Sequence, residues 1–147
     1  MEPKLFVATK AFIKYQDKIL IIKESNKYTD GTNAGKFDVP GGRIKPGQRF
    51  DESLLREIKE ETGLEVTIGQ PASPSKRGEP FFVNEWRPVV KGEQWQIVGM
   101  FFECESTTDQ ITLSEDHEEY FWIDPTDFKK YNMIENLQLA FEAYLKR

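Results

Sequence analysis

Residues 42–64 read GRIKPGQRFDESLLREIKEETGL. Three glutamates in this stretch, Glu57, Glu60 and Glu61, stand at i, i+3 and i+4. On a helix that spacing puts their carboxylates on one face. Three like charges on one face repel one another. A hard divalent cation, which prefers oxygen ligands, neutralises such a cluster. Taken alone, the triplet equally suits a solvated acidic face with Lys59 nearby. The predicted helix runs from about 50 to 62. Asp51 and Glu52 favour its positive end, with Asp51 the candidate cap. Gly63 stands where a left-handed C-cap is expected. Leu54, Leu55, Ile58 and Thr62 share the arc that packs on a sheet, beside the arc of glutamates. A sharp turn, Pro40-Gly41-Gly42, precedes the stretch.

Outward from the helix, 4–15 and 18–24 read as strands joined by a Gln16-Asp17 turn. Residues 25–36 are turn formers, so they read as a loop, and 37–39 as a short strand. After the helix, Leu64–Ile68 begins a strand and 70–80 is a Pro/Ser-rich loop. Residues 81–90 and 95–105 read as a hairpin turning at Lys91-Gly92-Glu93. A polar loop, 106–110, precedes Ile111–Leu113, and 119–123 reads as a strand; Pro125 opens a short helix. Residues 133–146 are amphipathic, with Ile134, Leu137, Ala140, Phe141 and Tyr144 as the core stripe. This order predicts an α+β chain with a mixed sheet between helices. A length of 147 residues suits one domain spanning 1–147.

The stretch resembles the Nudix box of the MutT-like hydrolases, G-x5-E-x7-R-E-U-x-E-E-x-G-U, where U is bulky and aliphatic. Gly42, Arg56, Glu57, Ile58, Glu60, Glu61, Gly63 and Leu64 match at the required spacings. Gln48 stands where the pattern has its first Glu. The box covers 23 of the 147 residues directly. The resemblance implies an α/β/α sandwich. It implies that Glu57, Glu60 and Glu61, with the Gly41 carbonyl, ligate Mg²⁺ or Mn²⁺. It makes Arg56 an orienting residue whose natural partner is the first box Glu. A neutral Gln48 in that place loses the strength of a charge-assisted bond.

The implied chemistry is hydrolysis of a phosphoanhydride, which needs charge neutralisation, an activated water and alignment. The general base is either Glu57 or a residue of the later acidic segment. Residues 114–122 resemble the E-H-x-x-Y-x-W segment of several subfamilies, with Asp116 for its Glu. Asp116 and Glu119 are the candidates there. His117 alone marks no site. For the substrate, Arg43, Arg87, Lys76, Arg77 and Lys91 are candidate phosphate contacts. Phe81, Phe82, Trp86 and Trp95 are candidate stacking partners for a base, although strand aromatics are commonly core. The first reading is a nucleoside triphosphate pyrophosphatase releasing a monophosphate and pyrophosphate. A dinucleoside polyphosphate or ADP-ribose hydrolase, and a sensing module that binds a nucleotide without turnover, stay open.

Composition narrows the setting. The formal net charge of −5, without a run of five like charges, argues against a polymeric nucleic-acid partner but not against a metal-bridged nucleotide. No apolar run approaches the roughly 20 residues that span a bilayer, and the N-terminus lacks an apolar signal-peptide region. The single cysteine, Cys104, suits a reducing compartment and a structural role. The expectation is a cytoplasmic protein, monomer or homodimer, acting on a small nucleotide.

Overall fold

A computed structural model describes residues 2–25, 35–69 and 78–147. Strand β1 (Lys4–Tyr15) turns at Gln16-Asp17 into β2 (Lys18–Glu24). Both turn residues have positive φ, 48° and 65°, the geometry that matches a two-residue hairpin to strand twist. Then come β3 (Phe37–Asp38), β4 (Gly41–Arg43), helix α1 (Phe50–Thr62) and β5 (Thr67–Ile68). Strands β6 (Phe82–Trp86), β7 (Val89–Val90), β8 (Glu93–Glu105) and β9 (His117–Ile123) follow. A 3₁₀ turn (Pro125–Lys130) and helix α2 (Glu135–Lys146) close the chain.

The sheet is mixed. Strand β1 runs parallel to β8 from Lys4↔Trp95 to Lys14↔Glu105. Its other edge changes partner along its length. Lys14 and Tyr15 pair with β2, whereas Ala8–Lys10 pair with β4. Strand β2 diverges to pair with β3 and β9. This fork separates β1 from β2 and opens a cleft between them.

Period-two alternation fills two cores. Phe12, Ile19, Ile21, Phe101 and Ile123 face one side, against Leu137, Ala140 and Phe141 of α2. Ala11, Ile13, Leu20, Ile22, Phe102 and Cys104 face the other, against Leu54 and Ile58 of α1. The result is the α/β/α sandwich. Among the described residues, no helix is long and apolar enough to cross a membrane. Cys104 is wholly buried, and burial, reinforced by Glu103, pushes its thiol well above the ordinary range. It is expected to ignore a thiol reagent in the native protein and to react once in denaturant, as colorimetric labelling would show.

Several local expectations need correction. Helix α1 starts at Phe50 with Arg49 as its N-cap residue, and no side chain caps it. Asp51 already lies inside the helix, where it binds Arg49 and the Glu52 N–H. Leu55 is exposed and Ser53 buried, so the inner arc is turned by one position. The expected 81–90 strand breaks at Arg87-Pro88, since proline has no N–H for the ladder. Gly41–Arg43 is a strand as well as a turn exit. Beyond the expectations, the Thr112 and Ser114 N–H groups donate to the Thr62 and Glu61 carbonyls and tie off the end of α1. That tie leads the chain back over the cleft. The Gly63 cap is left-handed as expected, with φ 78°.

Candidate active site

The cleft at the fork has a volume of about 360 Å³. Its lining comprises Lys10, Glu24, Asp38, Val39, Gly41, Glu57, Glu61, Asp116 and His117. Five backbone elements converge to place its charged and histidine side chains. Lys10 comes from the middle of β1, Glu24 from the end of β2, and Asp38 from β3. Helix α1 presents Glu57 and Glu61 one turn apart, and the segment entering β9 brings Asp116 and His117.

The glycine turn seats the helix edge. Gly41 has φ 147° and donates its N–H to Glu61 Oε1 at 3.4 Å. Gly42 approaches Glu57 so closely that a Cβ there would meet the carboxylate carbon at 2.9 Å. No backbone blocks that Cβ, so Gly42→Ala is expected to fold but to displace the Glu57 carboxylate. Turnover should fall roughly 10–100-fold, the penalty of a small misplacement. Steady-state kinetics beside a thermal melt checks this.

Charge is strained here. Burial raises the Glu61 carboxyl well above the usual range; Lys10 opposes that, and Glu57 at hydrogen-bonding range adds to it. Burial, helped by Asp38, also raises Glu24. Burial and then Lys10 lower His117, which is neutral at pH 7. His117 Nε2 stands 3.7 Å from Glu61 Oε2, and its Nδ1 lies 3.2 Å from Ser114 Oγ. The Lys10 ammonium reaches Asp38 Oδ2 at 2.8 Å. Burial pulls Lys10 down, but Asp38, with Glu61 and Glu24 beyond, outweighs it and holds the pKa above its ordinary value.

Of the residues singled out in the sequence, Gly41, Glu57, Glu61 and Asp116 come together in the cleft. Glu60 turns away, because Arg56 Nη1 one turn earlier holds both its oxygens at 3.2 Å. Glu119 lies on β9 against Lys23 at 3.7 Å. Arg56 also meets Glu57 at 3.3 Å, and its Nη2 donates to Gln48 Oε1 at 3.4 Å. The amide at 48 thus keeps the bridge geometrically, although Arg56 Nε is buried without a partner among the described residues.

The substrate candidates scatter. Arg43 lies over the paired rings of Phe6 and Trp95, 4.4 and 4.8 Å from their centres. Phe81 packs on Phe12 and Tyr144. Arg87 pairs with Glu85 in solvent. Lys76 and Arg77 lie outside the described residues. Trp86 lines a second cavity of about 260 Å³ with Lys36, Trp95, Ile97, Ile134 and Asn136. It lies flat over Gly99, where a Cβ would come 2.4 Å from its ring. Asn84 holds the Asn136 side chain at 3.1 Å. Lys36 and Asp38, two residues apart in sequence, line the second cavity and the cleft respectively.

Sequence reasoning missed Lys10, Glu24, Asp38 and His117. A lysine between inward-facing Ala8 and Phe12 was the one available signal for Lys10.

A model of the NUDIX domain matches residues 4–143. Nucleoside triphosphatase NudI of Escherichia fergusonii is 28% identical over 103 residues, covering 70% of this chain and 72% of that protein. Among solved structures, the MutT protein of Methanosarcina mazei Go1 superposes with a TM-score of 0.83 at 22% identity, over 99% of this chain and 96% of that one. A C. elegans Ap4A hydrolase gives 0.65 at 16% identity, over 97% and 96%. The two structural likenesses concern the fold.

Proposed function

Because the chain belongs to the Nudix family, hydrolases of pyrophosphate bonds, we propose that it cleaves nucleoside triphosphates to a monophosphate and pyrophosphate with Mg²⁺ or Mn²⁺. The observation that carries this reading is the cleft itself: Glu57 and Glu61 half-buried side by side at the glycine turn, with Lys10 as counter-charge. The NudI relative, a nucleoside triphosphatase, supports the substrate class.

The donor set fits a magnesium-type ion. Glu57 and Glu61 are hard oxygen donors, and their pairing calls for a cation or a proton. Among the described residues no three acidic or histidine side chains form a ready cage. Magnesium, however, is commonly held by one or two carboxylates together with substrate phosphates. Glu57 and Glu61 would hold the ion, with the Gly41 carbonyl as the backbone candidate. When bound, it would neutralise phosphate oxygens and lower the pKa of an attacking water. Glu60 joins only by leaving Arg56.

The protein's own groups supply the rest. Arg56 orients Glu57 and, through Gln48, the loop ahead of α1. Glu57 and Asp116 are the carboxylates placed to take a proton from water. Glu119 is not so placed. Neutral His117 buttresses Glu61. The aromatic cavity is just below the roughly 300–1,000 Å³ of whole-ligand pockets. That size suits a single ring system, stacked on Trp86 in the manner of aromatic pairs.

Chromatographic separation of the products tests the proposal, since only the triphosphates would release pyrophosphate for a coupled phosphate assay. The panel holds canonical and oxidised triphosphates, ADP-ribose, NADH and diadenosine polyphosphates, with each metal. Triphosphate turnover that collapses in Glu57→Gln supports it. Turnover of ADP-ribose or the diadenosine compounds alone would replace the substrate. Metal and nucleotide binding without turnover of anything would make the chain a sensor.

A further inference from the structure

Lys10 is costly to keep. It sits on β1 between Ala8 and Phe12, which face the same side and are buried in the core. Its side chain is only 12% exposed. A buried ion pair is weak support for stability, and an apolar pair of similar size often serves as well or better. Yet the pair is held firmly. One Asp38 oxygen takes the ammonium at 2.8 Å, and the other takes the Val39 N–H at 2.7 Å. An ammonium has three donors; among the described residues, Asp38 is the one hydrogen-bonded partner of this one.

Lys10 opens on carboxylates: Glu24, Glu57, Glu61 and Asp116 line the same hollow. Among the described residues, it is the one lysine or arginine lining that hollow. Arg56 serves Glu57, Glu60 and Gln48, and Arg43 lies over the Phe6 and Trp95 rings. Among the described residues, Lys10 is therefore the cation of the cleft. A polyphosphate entering this acidic hollow finds one fixed positive charge on the protein.

Register says which phosphates it meets. Phe6 pairs with Ile97, which lines the aromatic cavity. Lys10 is four residues further along β1, about 13 Å away. A nucleotide with its base in the cavity and its chain along β1 spends that distance on the sugar and first phosphate. Its terminal phosphates arrive at Lys10. We propose that the Lys10 ammonium, fixed by Asp38, binds the terminal pyrophosphate portion of the substrate and the pyrophosphate product. The placement along β1 rests on the triphosphate reading; the binding of pyrophosphate does not.

The test uses Lys10→Met, Lys10→Arg and the neutral double variant Lys10→Met/Asp38→Asn. The double variant also removes the Asp38 charge that Lys10→Met alone would leave unpaired, and so guards against misfolding. Inorganic pyrophosphate binding is measured by calorimetry with Mg²⁺, and triphosphate kinetics alongside. The expected result is pyrophosphate binding at least tenfold weaker in both methionine variants, and KM raised more than kcat is lowered. Lys10→Arg should recover most of the affinity. Pyrophosphate binding within twofold of wild type in the double variant would overturn the inference, as would no pyrophosphate binding by the wild type. If no triphosphate is turned over, the functional reading fails while the pyrophosphate arm still decides the role of Lys10.

Discussion

Glu61→Gln is expected to abolish most turnover, roughly 10³-fold or about 4 kcal/mol in the barrier, while leaving the metal-free protein at least as stable. The second half follows from the buried carboxyl. Its folded pKa is raised, chiefly by burial and then, against Lys10, by Glu57. A raised carboxyl contributes stability that is present below its unfolded value of about 4.3 and lost as pH rises through the folded one. Without metal, wild type should therefore lose stability on going from acid to pH 8. Glutamine carries no charge and should remove that slope. Magnesium reverses the order. A hundredfold excess over Kd would stabilise wild type by about 2.7 kcal/mol, roughly 5–10 °C for a chain of this size. Melts with EDTA and with Mg²⁺, at acid and alkaline pH, read both signs. An unchanged magnesium shift in the variant would remove Glu61 from the ligand set.

Gly41→Ala should act on the fold itself. A Cβ at 41 would lie 2.1 Å from the Thr9 carbonyl oxygen and 2.9 Å from Lys10 Cα. Both are backbone atoms of β1, which is locked to β8 and has no side-chain freedom with which to yield. The φ of 147° adds strain for any residue with a Cβ. Relief would require β4 to leave β1, breaking the Ala8–Lys10 pairing and removing the Gly41 N–H from Glu61. A loss of about 3 kcal/mol or more is expected, with activity lost in the fraction that still folds. Denaturant unfolding of Gly41→Ala beside Gly42→Ala separates the two glycines. Equal midpoints would mean that the turn relaxes more easily than this geometry allows.

Local physics made much of the architecture legible. Strand β1 ends and β2 begins where alternation gives way to Gln16-Asp17, and α1 ends where Gly63 accepts a left-handed turn. These features depend on neighbours in sequence. The cleft depends on residues far apart. Lys10 and Asp38 are 28 positions apart, and nothing local to either announces the other. Glu60 and Glu61 look alike in a periodicity argument, yet Arg56 competes for Glu60, one turn away. Phe81 and Trp86 read equally as stacking partners; packing on Phe12 and Tyr144 takes Phe81 into the core and leaves Trp86 at a cavity. Asp116 was legible through the box family's second segment, and its approach to the cleft required the tie of 112–114 to α1.

The parallel pairing of β1 with β8 also governs how the chain can be made. Lys4 begins the strand and meets Trp95, so the longest ladder joins the start of the chain to its last third. During synthesis the hairpin with β2 offers β1 only Lys14 and Tyr15. On that side β4 adds Ala8–Lys10, but the edge that takes β8 stays open until residue 105 has cleared the ribosome. Such non-local closure slows folding, and an exposed strand edge invites pairing with other chains. Nascent chains truncated before β8 should therefore be the aggregation-prone species, and completion of β8 the step that releases them.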